Sequence, residues 1–305
     1  MNKQKIVIIV GPTAVGKTAL SVEVAGLFDG EIVSADSIQI YKGLDIGSAK
    51  VTKEEMKGIK HYLIDIVSPT DEYSAGQYVK DASMAIDEIV SKGKLPIVVG
   101  GTGMYVQSLL FEPGVTCGKD ENYRKELEEI ANKNGKEYLH KMLEKIDPES
   151  AALIHPNHLS RIVRALEIYH VSGKKKSEQK SEAIPRYDYL LIGFTADRET
   201  LYNRINLRVD KMLEMGLEKE VQTLIDQGIT KNNQCMQGIG YKETYDYLKN
   251  CKNRVEFIEK LKQNSRNYAK RQFTWFKKMP GIVWKTYDQK DEIIELIKEF
   301  INGKN

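Results

Sequence analysis

The sequence predicts an α/β fold, a parallel sheet flanked by helices with a helical domain inserted in it, and three observations carry that expectation. The run Ile6-Val7-Ile8-Ile9-Val10 consists of β-branched residues alone, the composition of a strand buried on both faces. It feeds into Gly11-Pro12-Thr13-Ala14-Val15-Gly16-Lys17-Thr18, a complete phosphate-binding loop, after which Ala19 to Ala25 takes up helical spacing. Strand and helix patterns then alternate on either side of a stretch, Gly114 to Pro185, in which strand patterns stop and charged helical segments replace them. The expected organisation is a P-loop NTPase-like α/β core made from residues 1–113 and 186–305, with residues 114–185 as the insert.

The loop dictates chemistry as well as fold. Gly11 and Gly16 let the backbone curl so that N–H groups point inward, Lys17 adds a point charge, and the Thr18 hydroxyl stands at the start of a helix whose dipole favours anions. A di- or triphosphate is therefore the expected ligand, with Thr18 as the one Mg²⁺ ligand that the sequence marks. With 305 residues, 41% of them hydrophobic, the chain can bury a large core. Its longest apolar runs are about five residues, far short of the ~20 that span a bilayer, so no membrane association is expected. Cys117, Cys235 and Cys251 have neither metal-site nor disulfide-framework spacing, which fits a reduced cytoplasm; a monomer is the default expectation. The net charge of +3 is too small to imply a polyanionic partner, so nucleic-acid contacts must come from local clusters.

After the first helix, which ends near Phe28-Asp29-Gly30, Glu31 to Ala35 reads as a second strand leading into Asp36-Ser37-Ile38-Gln39-Ile40-Tyr41. Ligands of open α/β sheets sit outside the carboxyl ends of strands, so Asp36, Ser37 and Gln39 should approach whatever the loop holds, with a turn or N-cap role for Asp36 as the equal alternative. A short helix is expected around Lys53 to Lys57, a third strand over His61 to Val67 and a helix over Ser74 to Lys92. Leu95 to Val99 is a fourth strand. It runs into Gly100-Gly101-Thr102-Gly103, a second glycine-rich turn, and then into helical residues up to Phe111. Where a phosphate-loop NTPase often carries an acidic Mg²⁺-binding residue, this turn offers glycines and a neutral hydroxyl, which suits holding a leaving diphosphate better than activating water.

In the insert, Asn122 to Asn134 and Glu137 to Ile146 are amphipathic, and Leu159, Ile162, Val163, Leu166 and Tyr169 form an apolar stripe. Arg161 and Arg164 flank that stripe, spaced to reach one phosphate backbone, and Lys174-Lys175-Lys176 with Lys180 follow in a loop that alone reads as a solvated charge run. Tyr187 to Phe194 resumes the sheet. Arg198 to Gln227 reads as one long helix with Arg204 and Arg208 on one face, by themselves an exposed ion-pair pattern. Gly238-Ile239-Gly240-Tyr241-Lys242 precedes a helix over Val255 to Phe276, with Val255, Ile258, Leu261, Tyr268 and Ala269 inward. Its end interleaves Arg266, Lys270, Arg271, Lys277 and Lys278 with Tyr268, Phe273, Trp275 and Phe276, the mixture that binds RNA through phosphates and stacked bases. An edge strand at Ile282 to Trp284 and a helix over Asp291 to Asn302 close the chain.

Together these motifs resemble the tRNA dimethylallyltransferases, also called tRNA isopentenyltransferases, along nearly the whole chain. The resemblance rests on the loop Gly11 to Thr18, on Ser34-Ala35-Asp36-Ser37 with Gln39 and Tyr41, on Asp45-Ile46-Gly47 with Ala49-Lys50, and on His61-Tyr62-Leu63-Ile64-Asp65. It continues through Leu95 to Gly103, Arg164-Ala165-Leu166-Glu167, Gly238-Ile239-Gly240-Tyr241 and Ala269-Lys270-Arg271-Gln272 with Thr274-Trp275. Val15 stands where the family usually has serine, Met104 where it has leucine, and Ser160 where some members have glutamine. The resemblance implies transfer of a dimethylallyl group from dimethylallyl diphosphate to N6 of adenosine 37, beside the tRNA anticodon, with release of diphosphate. It implies that Gly11, Pro12, Thr13, Ala14, Val15, Gly16, Lys17, Thr18 and Arg208 hold the diphosphate with Mg²⁺, that Asp36 is the general base, and that Thr102 stabilises the leaving group. Contacts to the anticodon stem-loop are implied for Asp36, Ser37, Ile38, Gln39, Thr102, Arg161, Arg164, Gly240, Lys270, Arg271 and Gln272, with the helical insert as a clamp.

Loop and fold alone leave open a P-loop small-molecule or nucleoside kinase with the insert as its lid. The Gly-Gly-Thr-Gly turn and the basic-aromatic helix stand against it. A non-enzymatic RNA-binding protein would not need a hydroxyl, a carboxylate and a full phosphate loop at adjoining strand ends.

Overall fold

A computed structural model describes residues 3–111, 118–178, 184–250 and 253–303. Cys117, Lys180, Cys251 and the boundary expected between residues 113 and 114 lie outside the described residues. The chain divides into two compact units, one made of Met1–Leu110 and Arg186–Asn305, the other of Phe111–Pro185.

The first unit begins with β1 (Lys5–Val10), α1 (Lys17–Leu27), β2 (Gly30–Ser34), α2 (Lys53–Met56), β3 (His61–Tyr62), α3 (Ala75–Ser91), β4 (Leu95–Gly100) and α4 (Gly103–Leu110). The second unit holds α5 (Glu121–Asn134), α6 (Lys136–Ile146), α7 (Pro148–Leu153) and α8 (Leu159–Ser172). The first unit then resumes with β5 (Asp188–Phe194), α9 (Arg198–Glu214), α10 (Leu217–Asp226), α11 (Tyr241–Asn250), α12 (Arg254–Phe276), β6 (Ile282–Lys285) and α13 (Lys290–Ile301).

Among the described residues the six strands are all parallel, in the order β3-β2-β4-β1-β5-β6. The β-branched run of β1 sits at the centre with no exposed surface from Ile6 to Val10, as burial on both faces requires. One face of the core joins Val7 and Ile9 to Leu20 and Val24 of α1, Ile205 of α9, and Ile293, Ile297 and Phe300 of α13. Because β4 lies between β1 and β2, the turns after these three strands emerge side by side at one edge of the sheet. The chain after β4 and that after β2 approach closely, since a Cβ on Gly100 would stand 2.1 Å from the Ala35 carbonyl oxygen; on the other side of β1, a Cβ on Gly11 would stand 2.1 Å from that of Phe194, at the end of β5. Among the described residues no helix is long and apolar enough to cross a membrane.

In the first unit three local expectations change. The third strand stops after Tyr62, because Leu63 and Asp65 take positive φ of 62° and 56° and turn the chain out of the ladder. The long helix after β5 is two helices, separated at Gly216 with φ 99°. At the start of α12, Val255 is exposed and Phe257 is buried in its place.

In the second unit Leu127, Leu139, Leu143, Ile162, Val163 and Leu166 form a separate core. Tyr169, expected on that apolar stripe, is 39% exposed, and Ala165 is buried instead. Glu167 is fully buried and accepts from Arg124 Nε at 2.6 Å, Arg124 Nη2 at 2.8 Å, Arg164 Nη1 at 2.5 Å and the Asp120 N–H at 2.9 Å. Burial alone would raise its pKa, but the two guanidinium groups overcome that and hold it at about 2.

Gly100→Ala forces its methyl into the backbone of Ala35 and should destabilise the protein by about 1–3 kcal/mol, the usual cost of overpacking. Thermal unfolding checks this, and an unchanged Tm would contradict the close approach.

Candidate active site

The first turn at the sheet edge is the phosphate loop. Gly11 (φ 150°), Ala14 (φ 63°) and Gly16 (φ 101°) curl the backbone, and Gly16 caps the amino end of α1. Lys17 folds back over the loop, its Nζ donating to the carbonyls of Gly11 at 3.0 Å and Pro12 at 2.8 Å. Desolvation, with the nearby Arg208 charge, lowers its pKa to about 7 against the opposing pull of Asp36. Thr18 is exposed in the first turn of α1.

The second turn joins this loop through α12. Gln272 accepts from the Thr13 N–H at 2.9 Å and donates to the Gly101 carbonyl at 2.9 Å, so its buried amide spans the two. Thr102 donates its N–H to the Ala35 carbonyl at 3.1 Å, while its Oγ1 accepts from the Ser37 N–H at 3.0 Å and donates to Ser37 Oγ at 3.2 Å. The turn after β2 is thereby tied to the turn after β4.

Asp36 serves that turn with one oxygen: Oδ1 accepts from the N–H groups of Ile38 at 2.9 Å and Gln39 at 3.2 Å. Its charge acts on Lys17 and Arg208 on one side and on Tyr105 and Tyr268 on the other. The sequence places Tyr268 both among the inward residues of α12 and in its basic-aromatic RNA-binding mixture, with no role beside Asp36. Burial and the Asp36 carboxylate push its phenol pKa well up, with Arg271, Gln272 and Thr102 moderating the rise. It stands one helical turn before Gln272, which is the sequence signal for it.

Arg208 comes from α9. Its Nη2 donates to the Ser48 carbonyl at 3.3 Å, and burial lowers its pKa while Asp36 and Glu55 raise it. Arg204, on the same helix, is exposed. Gln39 Nε2 donates to the carbonyls of Ser48 at 3.3 Å and Ala49 at 3.2 Å. Ile38 is half-buried, packed close to Gly238. Gly240 (φ 96°) precedes α11 and donates its N–H to Glu243 Oε2 at 2.9 Å. Lys270 and Arg271 are exposed, with the Arg271 guanidinium 5.7 Å from the Tyr268 ring centre. Arg161, exposed, and Arg164, paired with Glu167, belong to the second unit.

The structure thus gathers Lys17, Asp36, Ser37, Gln39, Thr102, Arg208, Tyr268 and Gln272 around the ends of adjoining strands. Two cations converge on a phosphate loop, with a carboxylate beside them: an arrangement able to hold a diphosphate and to take a proton from a group approaching it.

The sequence model of the IPP transferase family matches residues 39–279. A tRNA dimethylallyltransferase of Bacillus anthracis is 48% identical over 307 aligned positions, covering 100% of this chain and 97% of that protein. The full-length tRNA isopentenylpyrophosphate transferase of Bacillus halodurans is similar in structure with a TM-score of 0.74 at 45% identity, covering 99% of this chain and 98% of the other. A eukaryotic dimethylallyltransferase acting on tRNA gives a TM-score of 0.86 at 31% identity, covering 98% of this chain and 80% of its own.

Lys17 titrates near 7 in the folded protein and at its ordinary 10.5 when exposed. Between these values the unfolded chain holds more protons, so the cost of burying Lys17 is full below pH 7 and disappears as pH rises toward 10.5. Lys17→Met should therefore raise Tm at neutral pH, by an amount that shrinks as the solution is made alkaline. A lower Tm for the variant at neutral pH, or a pH-independent gain, would contradict this.

Proposed function

This chain belongs to the IPP transferase family, and from that premise we propose that its strand-end site prenylates adenosine 37 of tRNA on N6, releasing diphosphate. The chain is a P-loop NTPase-like prenyltransferase that transfers a dimethylallyl group from dimethylallyl diphosphate to tRNA. The kinase alternative is not favoured, since the relatives that match it over the full chain are prenyltransferases. The observation that carries the finer reading is the placing of Asp36 beside Lys17 and Arg208, across the tied turns.

An adenine amino group is a weak nucleophile, so catalysis must come from positioning and electrostatics. The adenosine leaves the anticodon stack, its N6 bonds to the allylic carbon as the carbon–oxygen bond to diphosphate breaks, and Asp36 takes the N6 proton. Lys17, Arg208 and the Thr102 hydroxyl, its proton turned from Ser37 Oγ to the diphosphate, stabilise the charge that grows on the departing group. The rest of the loop, Gly11 to Thr18, cradles that group with its backbone N–H groups.

Mg²⁺ fits the donors present. Among the described residues there is no group of three or more His, Cys, Asp or Glu able to hold an ion, but Thr18 presents an exposed hydroxyl at the loop. In a phosphate loop the Ser/Thr hydroxyl is a Mg²⁺ ligand, and the ion keeps water and substrate phosphates around it, so Thr18 and the diphosphate would hold it. When bound it would neutralise part of the diphosphate charge.

Lys270, Arg271 and Arg161 are the exposed cations assigned to the tRNA backbone. Arg164, half-buried and paired with Glu167, is assigned to the same backbone, and Ser37, Ile38, Gln39 and Gly240 shape the acceptor side. Gln272 acts by holding the turns together. A monomer in the cytoplasm completes the reading.

Incubation with radiolabelled dimethylallyl diphosphate, Mg²⁺ and anticodon stem-loops carrying A or G at position 37 tests the reaction. Label should enter only the A37 RNA; label in both, or in neither, would overturn the assignment. Thr102→Ala should slow single-turnover transfer by about 10²-fold, as loss of a leaving-group donor does, while RNA affinity stays within about threefold. Equal losses in rate and affinity would make Thr102 a binding residue instead.

A further inference from the structure

Behind the reacting groups, the turn from Asp45 to Ser48 is shaped by one carboxylate and one phenol from distant helices. Glu220 of α10 accepts from three successive backbone N–H groups, with Oε2 taking those of Asp45 at 3.0 Å and Ile46 at 2.7 Å and Oε1 taking that of Gly47 at 3.1 Å. The same Oε1 accepts the Tyr241 hydroxyl at 2.7 Å, and that hydroxyl accepts the fourth N–H, from Ser48, at 3.2 Å. Tyr241 is fully buried, and Gly47 leaves no room beside its ring: a Cβ there would stand 2.6 Å from a ring carbon.

The consequence lies on the carbonyl side of the same turn. Ser48 O receives Arg208 Nη2 at 3.3 Å and Gln39 Nε2 at 3.3 Å. The half-buried Arg208 guanidinium, close enough for its charge to act on Lys17, has the Ser48 carbonyl as a fixed acceptor for Nη2, and that anchor sets where its other donors lie.

We infer that Glu220 and Tyr241 are positioning residues for the transfer step: by gathering the N–H groups of Asp45 to Ser48 they fix the Ser48 carbonyl that aims Arg208 at the leaving diphosphate. Neither touches the reacting atoms. Glutamine at 220 cannot reproduce the set, because its amide nitrogen donates and does not accept, and phenylalanine at 241 removes the hydroxyl while keeping the ring. The inference rests on the role proposed above for Arg208.

Single-turnover prenyl transfer at saturating substrates, with Tm recorded for each protein, tests it as two double-mutant cycles. The proteins are wild type, Glu220→Gln, Tyr241→Phe, Arg208→Ala and the two doubles with Arg208→Ala. Glu220→Gln should slow transfer about tenfold and Tyr241→Phe about threefold, and each should cost less than about twofold once Arg208 is absent. Equal losses in both backgrounds would show a general structural effect and overturn the inference, as would an unchanged rate in Glu220→Gln. If Glu220→Gln does not fold, the Tyr241→Phe cycle decides. An Arg208→Ala rate within about twofold of wild type would overturn the role of Arg208 and this inference together, whereas a slow Arg208→Ala with additive doubles removes only the inference.

Discussion

Two glycine-rich turns, from the ends of adjacent parallel strands, are held against each other by the side-chain amide of Gln272. That amide is suited to the task because it carries a donor and an acceptor in one plane, and each meets a backbone group at 2.9 Å. A carboxylate there could not donate to Gly101 O, and an alanine would leave both backbone groups unpaired in a buried position. The glycines follow from the same constraint, since a Cβ on Gly101 would stand 2.2 Å from Gln272 Nε2. Through this bridge α12 does more than pack on the sheet. It fixes the loop at Thr13, the turn at Gly101 and, on its own face, Tyr268 and Arg271.

The electrostatics of the site follow from that packing. Lys17 and Arg208 are brought together in a half-buried setting, and desolvation disfavours each as a cation. Asp36 relieves part of this strain, although one of its oxygens is occupied by the N–H groups of Ile38 and Gln39. A carboxylate held this way is aimed, because the turn that consumes Oδ1 fixes where Oδ2 lies. In the proposed reaction an anion leaves toward the cations and a proton leaves toward the carboxylate, so the charges already present match those that develop.

Much of this was legible in the sequence because it is local. The β-branched run of β1, the glycines of the loop and the polar residues just after β2 and β4 report strand ends directly, and Asp36, Lys17 and Thr102 follow from them. Asp36 could be read as a turn residue or a chemical one, and the structure shows the turn role. Arg208 was less visible: on a helix also carrying Asp210 and Glu214 its pattern is that of an exposed ion pair, and only the resemblance singled it out. The early end of β3 depends on positive φ at Leu63 and Asp65, which apolar patterning does not record. Gly216 splits one periodic pattern into two helices. Tyr241 was legible only as part of a motif, and neither its role nor that of Glu220 could be found, because the backbone groups they serve lie more than 170 residues away in the chain. Gln272 was legible only as part of a motif; its bridging role appears when β1 and β4 are seen to be neighbours.

The central claim is that Asp36 acts in the chemical step as proton acceptor. Single-turnover transfer by Asp36→Asn, with tRNA affinity measured on the same protein, tests it most directly, because asparagine keeps the Oδ1 acceptor for the turn and removes only the base. The account predicts a rate loss of about 10²-fold or more with affinity changed by less than about threefold. A rate within about threefold of the unmodified protein would contradict it and move the proton to another acceptor.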